Sequence, residues 1–140
     1  VRKQQGYPPV VQEFRDRIRV ADALLIASPE YNWSVTGVLK NAIDWASRSP
    51  DAPLNGKPTA IMGASQGFFG TAKGQMHLRT ICASCNMFLV NNPEVLVMRA
   101  QDGKFDEDVR LVDEVSRKFL RQLLEALADL TQRLREESVS

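Results

Sequence analysis

The sequence is poor in the residues that mark several common classes of protein. It has one histidine and two cysteines in 140 residues, and its 18 basic side chains nearly balance 17 acidic ones. Two cysteines cannot form the disulfide framework of a small secreted domain. A net charge of +1 gives no electrostatic reason to expect nucleic acid or an anionic membrane as a partner. No apolar run reaches the roughly 18 residues of a transmembrane helix. We therefore expect a cytoplasmic protein with no nucleic-acid or membrane partner.

What the sequence does contain is an alternation of short apolar runs and amphipathic segments. Runs of branched apolar residues predict buried strands, and apolar residues spaced by three or four predict helices. The predicted strands are 23–27, 59–63 and 94–98. The predicted helices are 9–20, 38–46, 72–85 and a long closing helix that carries Val112 to Leu134. The Thr36 hydroxyl is a candidate N-cap for the second helix. This alternation predicts a parallel sheet with helices on both faces.

Three strands are few for such a sheet, because sheets average about 5–6 strands. A further strand–helix–strand unit needs about 30 or more residues. We therefore predict that residues 1–140 form a single α/β domain that is incomplete at its N-terminal side and lacks its first βαβ unit.

Two connections in this predicted sheet have an unusual composition. Residues 28–33 follow one strand and contain two aromatic residues, a carboxylate and an amide; the glycine-rich residues 63–74 follow the next strand. Ligands of open parallel sheets bind beyond the carboxyl ends of the strands. The two connections could therefore line one crevice for a flat polar molecule, or their aromatic side chains could simply fold over the core. The composition alone favours neither of these two interpretations.

Residues 29–45, "PEYNWSVTGVLKNAIDW", resemble the motif P-E-Y-N-x-S-x-P-G-x-L-K-N-A-I-D-W of the NADPH-dependent FMN reductase family. "GKPTAIMGASQGFFGTAKGQMHLR" (56–79) and "NNPEVLVM" (91–98) are similar to later segments of the same family. The resemblance implies a flavodoxin-like three-layer sandwich that binds FMN. It also implies hydride transfer from NADPH or NADH to a quinone, a flavin or a similar small-molecule electron acceptor.

The resemblance further implies which residues contact the flavin, and it implies no catalytic side chain and no metal. The implied cofactor-binding residues are Pro29, Glu30, Tyr31 and Asn32 along the isoalloxazine, with Ala64, Ser65 and Gly67 on the neighbouring loop. The helices that carry Trp45 and His77 would build a homodimer or homotetramer.

The chain departs from the family motif in two places. Thr36 replaces the usual proline, and no segment matches the G-S-x-R-x-x-S-type loop that holds the FMN phosphate in the family. The second departure keeps an alternative open, in which the domain is a non-catalytic remnant or fragment that oligomerises or binds a ligand.

Two shorter motifs point to other chemistry. "GASQG" (63–67) matches the hydrolase nucleophile elbow, but the only histidine, His77, follows Ser65 with no acid between them. Cys82 and Cys85 have the C-x-x-C spacing, yet they would close a helix rather than open one, and they supply only half of a zinc site. Small buried hydrophobes are the better interpretation of these cysteines.

Overall fold

The computed structural model describes residues 6–137, in which a parallel sheet is packed between two layers of helices. The helices are α1 (Pro9–Val20), α2 (Gly37–Ala46), α3 (Ala72–Ser84) and α4 (Glu114–Glu137). The strands are β1 (Leu24–Ala27), β2 (Pro58–Ala64), β3 (Phe88–Leu89) and β4 (Val95–Val97). The predicted helices and strands are confirmed, with bounds that shift by a few residues at most.

The central strand of the sheet is β2, which is buried over most of its length. It pairs in parallel with β1, with Leu24 opposite Thr59. On its other side β2 pairs first with β3 and then, three residues further on, with β4. The prediction of three strands was wrong in one respect, because it missed β3. A two-residue strand has no periodicity of its own, and only its pairing with Pro58 and Thr59 defines it.

Each face of the sheet has its own apolar core. Helices α1, α2 and α3 cover one face, where Ile18, Ile43, Ile61, Leu78 and Cys82 are buried together. Helix α4 covers the other face, and its Leu123 and Leu127 pack with Ala60, Val95 and Val97. This arrangement confirms the predicted three-layer α/β fold. None of the four helices within residues 6–137 combines the length and apolar character needed to cross a bilayer.

Local signals in the sequence determine several helix ends. Thr36 is the N-cap of α2, as predicted, and its hydroxyl accepts a hydrogen bond from the Leu39 N–H at 3.1 Å. Before α4, the Asp113 carboxylate accepts hydrogen bonds from the Ser116 hydroxyl and N–H, which lower the pKa of Asp113.

Cys82 is fully buried in the last turn of α3, where desolvation raises its pKa to about 11. The thiol is therefore a small buried hydrophobe, as the sequence predicted.

A buried arginine connects α1 to the end of α2. The Arg15 side chain is only 1% exposed, and its guanidinium donates hydrogen bonds to the carbonyl oxygens of Trp45, Ala46, Arg48 and Asp51 at 2.8–3.1 Å. Helix C-termini present unpaired carbonyl groups and a partial negative charge, which suit a cation. The Tyr7 ring lies against the same guanidinium, 4.2 Å from its central carbon. Arg15 thereby holds α1, α2 and the following loop in one arrangement.

We predict that Arg15→Met destabilises the protein by about 2–4 kcal/mol, because the substitution leaves several buried carbonyl groups without a donor. Arg17→Met is the matched control on the same helix. Arg17 is exposed and, among the residues that the structure describes, its side chain pairs only with Glu13, so its loss should cost less than about 1 kcal/mol. Urea unfolding of the two variants measures both values. Equal, small effects would show that the Arg15 hydrogen bonds do not hold these elements together.

Candidate functional site

The first of the two unusual connections, loop A (residues 28–36), contains a strained two-residue turn. Tyr31 and Ser34 exchange backbone hydrogen bonds at 2.9 and 3.0 Å, and the residues between them have positive φ angles, 49° for Asn32 and 66° for Trp33. Asparagine tolerates this left-handed geometry, whereas a bulky residue such as tryptophan rarely adopts it. The turn presents Tyr31, Asn32 and Trp33 to solvent. Strain of this kind persists only where neighbouring contacts fix the backbone.

Those contacts come from helix α3. The Glu30 carboxylate accepts a hydrogen bond from the Gly74 N–H at 2.8 Å, so it occupies one of the free donors in the first turn of α3. The Ser34 hydroxyl lies 3.0 Å from His77 Nδ1. Gly74 permits this approach, because a Cβ there would lie 3.1 Å from the Ser34 carbonyl oxygen. The Glu30 side chain therefore positions loop A against α3.

The second connection, loop B (residues 65–71), is held by the segment that follows β4. The Ser65 N–H donates to the Val97 carbonyl at 3.0 Å, and the Ser65 carbonyl accepts from the Ala100 N–H at 2.9 Å. The Gly67 carbonyl accepts from the Arg99 N–H at 3.0 Å. Thr71, at the end of loop B, is buried and has a φ of 78°, which is unusual for a β-branched residue. Loop B is thus a defined turn rather than a loose one.

The two loops start from the same point at the carboxyl edge of the sheet. At Gly63, the residue before the end of β2, a Cβ would lie 2.6 Å from the Ser28 carbonyl oxygen and would also overlap the Thr71 hydroxyl. Only a hydrogen atom fits in this gap, so glycine is required for packing. The start of loop A, the end of β2 and the end of loop B are in direct contact there.

The tips of the loops also meet, around one lysine. The Lys73 Nζ lies 3.2 Å from the centroid of the Trp33 ring in loop A and 5.0 Å from that of the Phe69 ring in loop B. Cation–π attraction of this kind contributes about 0.5–1 kcal/mol at exposed sites. Trp33 and Phe69 are both more than 60% exposed, as are Tyr31 and Phe68. The carboxyl edge of the sheet therefore carries an open aromatic rim.

The predicted flavin-contacting residues fall into two groups that the fold brings to this edge. Pro29, Tyr31, Asn32 and Gly67 are exposed, whereas Glu30, Ala64 and Ser65 are half-buried. The aromatic side chains of loop A are exposed. They do not fold over the core, so the alternative interpretation of the loop composition, in which they cover the core, is excluded. Sequence reasoning did not single out Lys73. No motif marks it, and its role at the rim depends on two rings that are far from each other in sequence.

The competing motifs do not form sites within residues 6–137. His77 contacts Ser34 and not Ser65, so the arrangement lacks the nucleophile–histidine pair of a hydrolase. No group of three or more His, Cys, Asp or Glu side chains in this part of the chain could hold a metal ion.

A parallel sheet between two helical layers, with two adjoining loops at its carboxyl edge, defines a doubly wound α/β domain, and ligands of such sheets bind at that edge. Sequence comparison specifies the family. Residues 1–102 match the family model described as NADPH-dependent FMN reductase. The chain belongs to this family, as the resemblance of its motifs implied.

Its relatives include reductases named for FMN, for quinones and for other acceptors. An NAD(P)H-dependent FMN reductase of Pseudomonas aeruginosa is 53% identical over 130 residues, covering 93% of this chain and 70% of the relative. An NADPH:quinone oxidoreductase of Arabidopsis thaliana is 46% identical, covering 91% and 65%. FerB, a flavoenzyme NAD(P)H:(acceptor) oxidoreductase of Paracoccus denitrificans, superimposes with a TM-score of 0.81 at 34% identity, covering 90% of this chain and 69% of FerB. The chain spans about two thirds of the length of these relatives.

We predict that Gly63→Ala destabilises the protein by about 2 kcal/mol or more, because the new methyl group meets backbone and buried side-chain atoms that cannot all move away. Gly67→Ala is the matched control, since its Cβ would meet only the Ser65 hydroxyl, at 3.8 Å. The control should change stability by less than about 0.5 kcal/mol. Thermal unfolding of both variants tests the contact, and an unaffected Gly63→Ala protein would contradict the close approach of the two loops.

Proposed function

We propose that the protein is an FMN-dependent oxidoreductase that takes hydride from NADPH or NADH and passes electrons to a quinone, a flavin or a similar small acceptor. Family membership and the names of the relatives support this function. The structural observation that carries it is the convergence of loops A and B. They are in contact at Gly63, and both contribute rings around Lys73.

The residues of the two loops fit the edge of a planar, hydrogen-bonding ring system. Backbone hydrogen bonds fix both loops, within the turn of loop A and between loop B and residues 97–100. The remaining N–H and carbonyl groups of the loops are therefore preorganised. The Asn32 amide is exposed and offers both a donor and an acceptor. The space beside Gly67 is free of other atoms except the Ser65 hydroxyl, so a ring can approach the backbone closely.

FMN, when bound, supplies the hydride chemistry, and the protein supplies binding and orientation. In this proposal the backbone of residues 29–32 and of residues 64–67 contacts the isoalloxazine ring. Tyr31 and Trp33 offer aromatic faces to it or to a planar acceptor. The rim is open to solvent, which suits acceptors of varied shape. Three further properties remain predictions. They are assembly into a homodimer or homotetramer, a single domain over residues 1–140 and a cytoplasmic location.

We predict that the protein binds riboflavin and FMN with affinities that differ by less than about tenfold. The contacts proposed here are to the ring edge, whereas an ordered phosphate site would add more than about 1.4 kcal/mol, a factor of ten. Quenching of flavin fluorescence measures both affinities. Addition of NADPH to the flavin-loaded protein should bleach the flavin absorption, and a quinone should restore it.

Gly67→Ala should weaken the binding of FMN and of riboflavin at least about tenfold without changing the stability of the protein. The reason is that a methyl group blocks approach to the loop B backbone. Gly37→Ala is the control, since its Cβ would have no neighbouring atom within 4 Å and it lies outside both loops. A protein that quenches the fluorescence of neither flavin would contradict the proposed function. FMN binding much tighter than riboflavin binding would instead contradict the ring edge as the main contact.

A further inference from the structure

The aromatic rim at the carboxyl edge carries two cations that differ in their partners. The Arg99 guanidinium carbon lies 5.5 Å from the centroid of the Phe68 ring, and Arg99 also forms an ion pair with Asp102. Lys73 contacts two rings of the rim in a similar way. Among the residues that the structure describes, however, no carboxylate pairs with Lys73 and no oxygen atom accepts a hydrogen bond from its ammonium group. The positive charge of Lys73 is therefore uncompensated.

The acidic side chain closest to Lys73 along the helix already has another partner. The Glu30 carboxylate accepts a hydrogen bond from the Gly74 N–H at 2.8 Å. It therefore offsets the partial positive charge at the start of α3 and not the charge of the lysine. This leaves the ammonium group of Lys73 available to an anionic ligand.

The ammonium group is also held in place before a ligand arrives. The Lys73 side chain is partly buried, and its Nζ lies 3.2 Å from the centroid of the Trp33 ring and 5.0 Å from that of Phe69. Exposed ion pairs are weak because salt screens them and because long side chains must be ordered to form them. The second cost is small here, since the two rings already order the lysine. An ammonium group has three N–H donors, so it can bind an anion while it stays beside the rings.

The surface around this charge is aromatic and open. The four exposed rings of the rim, each more than 60% exposed, are Tyr31, Trp33, Phe68 and Phe69. Clustered exposed apolar side chains are typical of binding sites, and aromatic rings stack on such surfaces. A ligand that matches this surface has a planar ring with an anionic group attached directly to it. A phosphate that is joined to its ring through a flexible sugar chain matches less closely.

We propose that Lys73 is a specificity-determining residue that selects planar acceptors with a negative charge on the ring, such as quinones that carry a sulfonate or carboxylate group. The ring of the acceptor would lie against Trp33 or Phe69, and its anionic group would pair with the ammonium group. Lys73 binds the acceptor and takes no part in hydride transfer. The inference rests on the proposed function, because a charge preference affects turnover only if the same edge binds a flavin.

Binding of two rings that differ only in charge tests this proposal. Naphthalene sulfonate and naphthalene sulfonamide have nearly the same shape, and a reduced flavin cannot reduce either of them. NMR titration of the flavin-loaded protein measures both affinities. We expect the sulfonate to bind about three- to fivefold more tightly, which is what one well-ordered surface ion pair contributes. High salt should reduce this ratio, because it screens exposed charges.

Three variants show whether Lys73 causes the preference. Lys73→Met removes the charge and keeps an unbranched side chain, so the ratio of the two affinities should fall to about one. Lys73→Arg keeps the charge and should preserve the ratio. Arg133→Met is the control for net charge, because Arg133 is exposed near the end of α4, where Arg135 pairs with Asp22 before β1. This control should leave the ratio unchanged.

Turnover distinguishes the possible sources of the anionic group. The acceptors are naphthoquinone and naphthoquinone sulfonate, and the quantity compared is the ratio of their kcat/KM values in each protein, because the two differ in reduction potential. Lys73→Met should lower this ratio about threefold or more, mainly by raising the KM for the sulfonate. If Lys73→Met instead weakens FMN relative to riboflavin, or raises only the KM for NADPH, the lysine binds a phosphate of that molecule and the proposal is overturned.

Two other results would also overturn it. Equal loss of sulfonate and sulfonamide binding in Lys73→Met would show that the lysine only supports Trp33. A flavin-loaded wild-type protein with no preference for the sulfonate would overturn this inference alone. A protein that takes up no flavin would overturn the proposed function and this inference together.

Discussion

The close approach of backbone segments at Gly63 is the constraint on which the rest of the site depends. The Ser28 carbonyl, the end of β2 and the Thr71 hydroxyl occupy the space that any larger residue would need. This contact places loops A and B side by side at the carboxyl edge of the sheet. Gly74 has the same role in the first turn of α3, where it lets Glu30 and Ser34 reach the helix. These two glycines therefore allow loops A and B to pack side by side and form one surface.

Fixing the loops in this way has a cost in backbone strain. Asn32, Trp33 and Thr71 all have positive φ angles, a geometry that costs about 1–3 kcal/mol for residues other than glycine. The strained residues lie at the edge where the loops converge, and two of them belong to the turn that carries the exposed amide and indole. The hydrogen bonds from Gly74 and between Tyr31 and Ser34 hold that turn in place. The result is a fixed, open edge, which suits the flavin contact that we propose for it.

Features that depend on local sequence could be predicted, and features that depend on distant contacts could not. The three-residue spacing in α4, the Thr36 cap and the apolar run of β1 are local, and the family motif placed loop A beside the flavin as an expectation. Strand β3 exists only through its pairing with β2, Arg15 has no local motif, and Lys73 acquires its place from Trp33 and Phe69.

Hydrogen exchange of the backbone amides with and without riboflavin tests the central claim most directly. If the two loops form one ring-binding edge, the ligand will slow exchange in residues 29–34 and in residues 64–68 together. Amides in the second half of α4, which lines a cleft of about 610 Å³ beside Ala23, will be unaffected. Protection confined to one loop, or protection in the α4 cleft instead, would contradict the account.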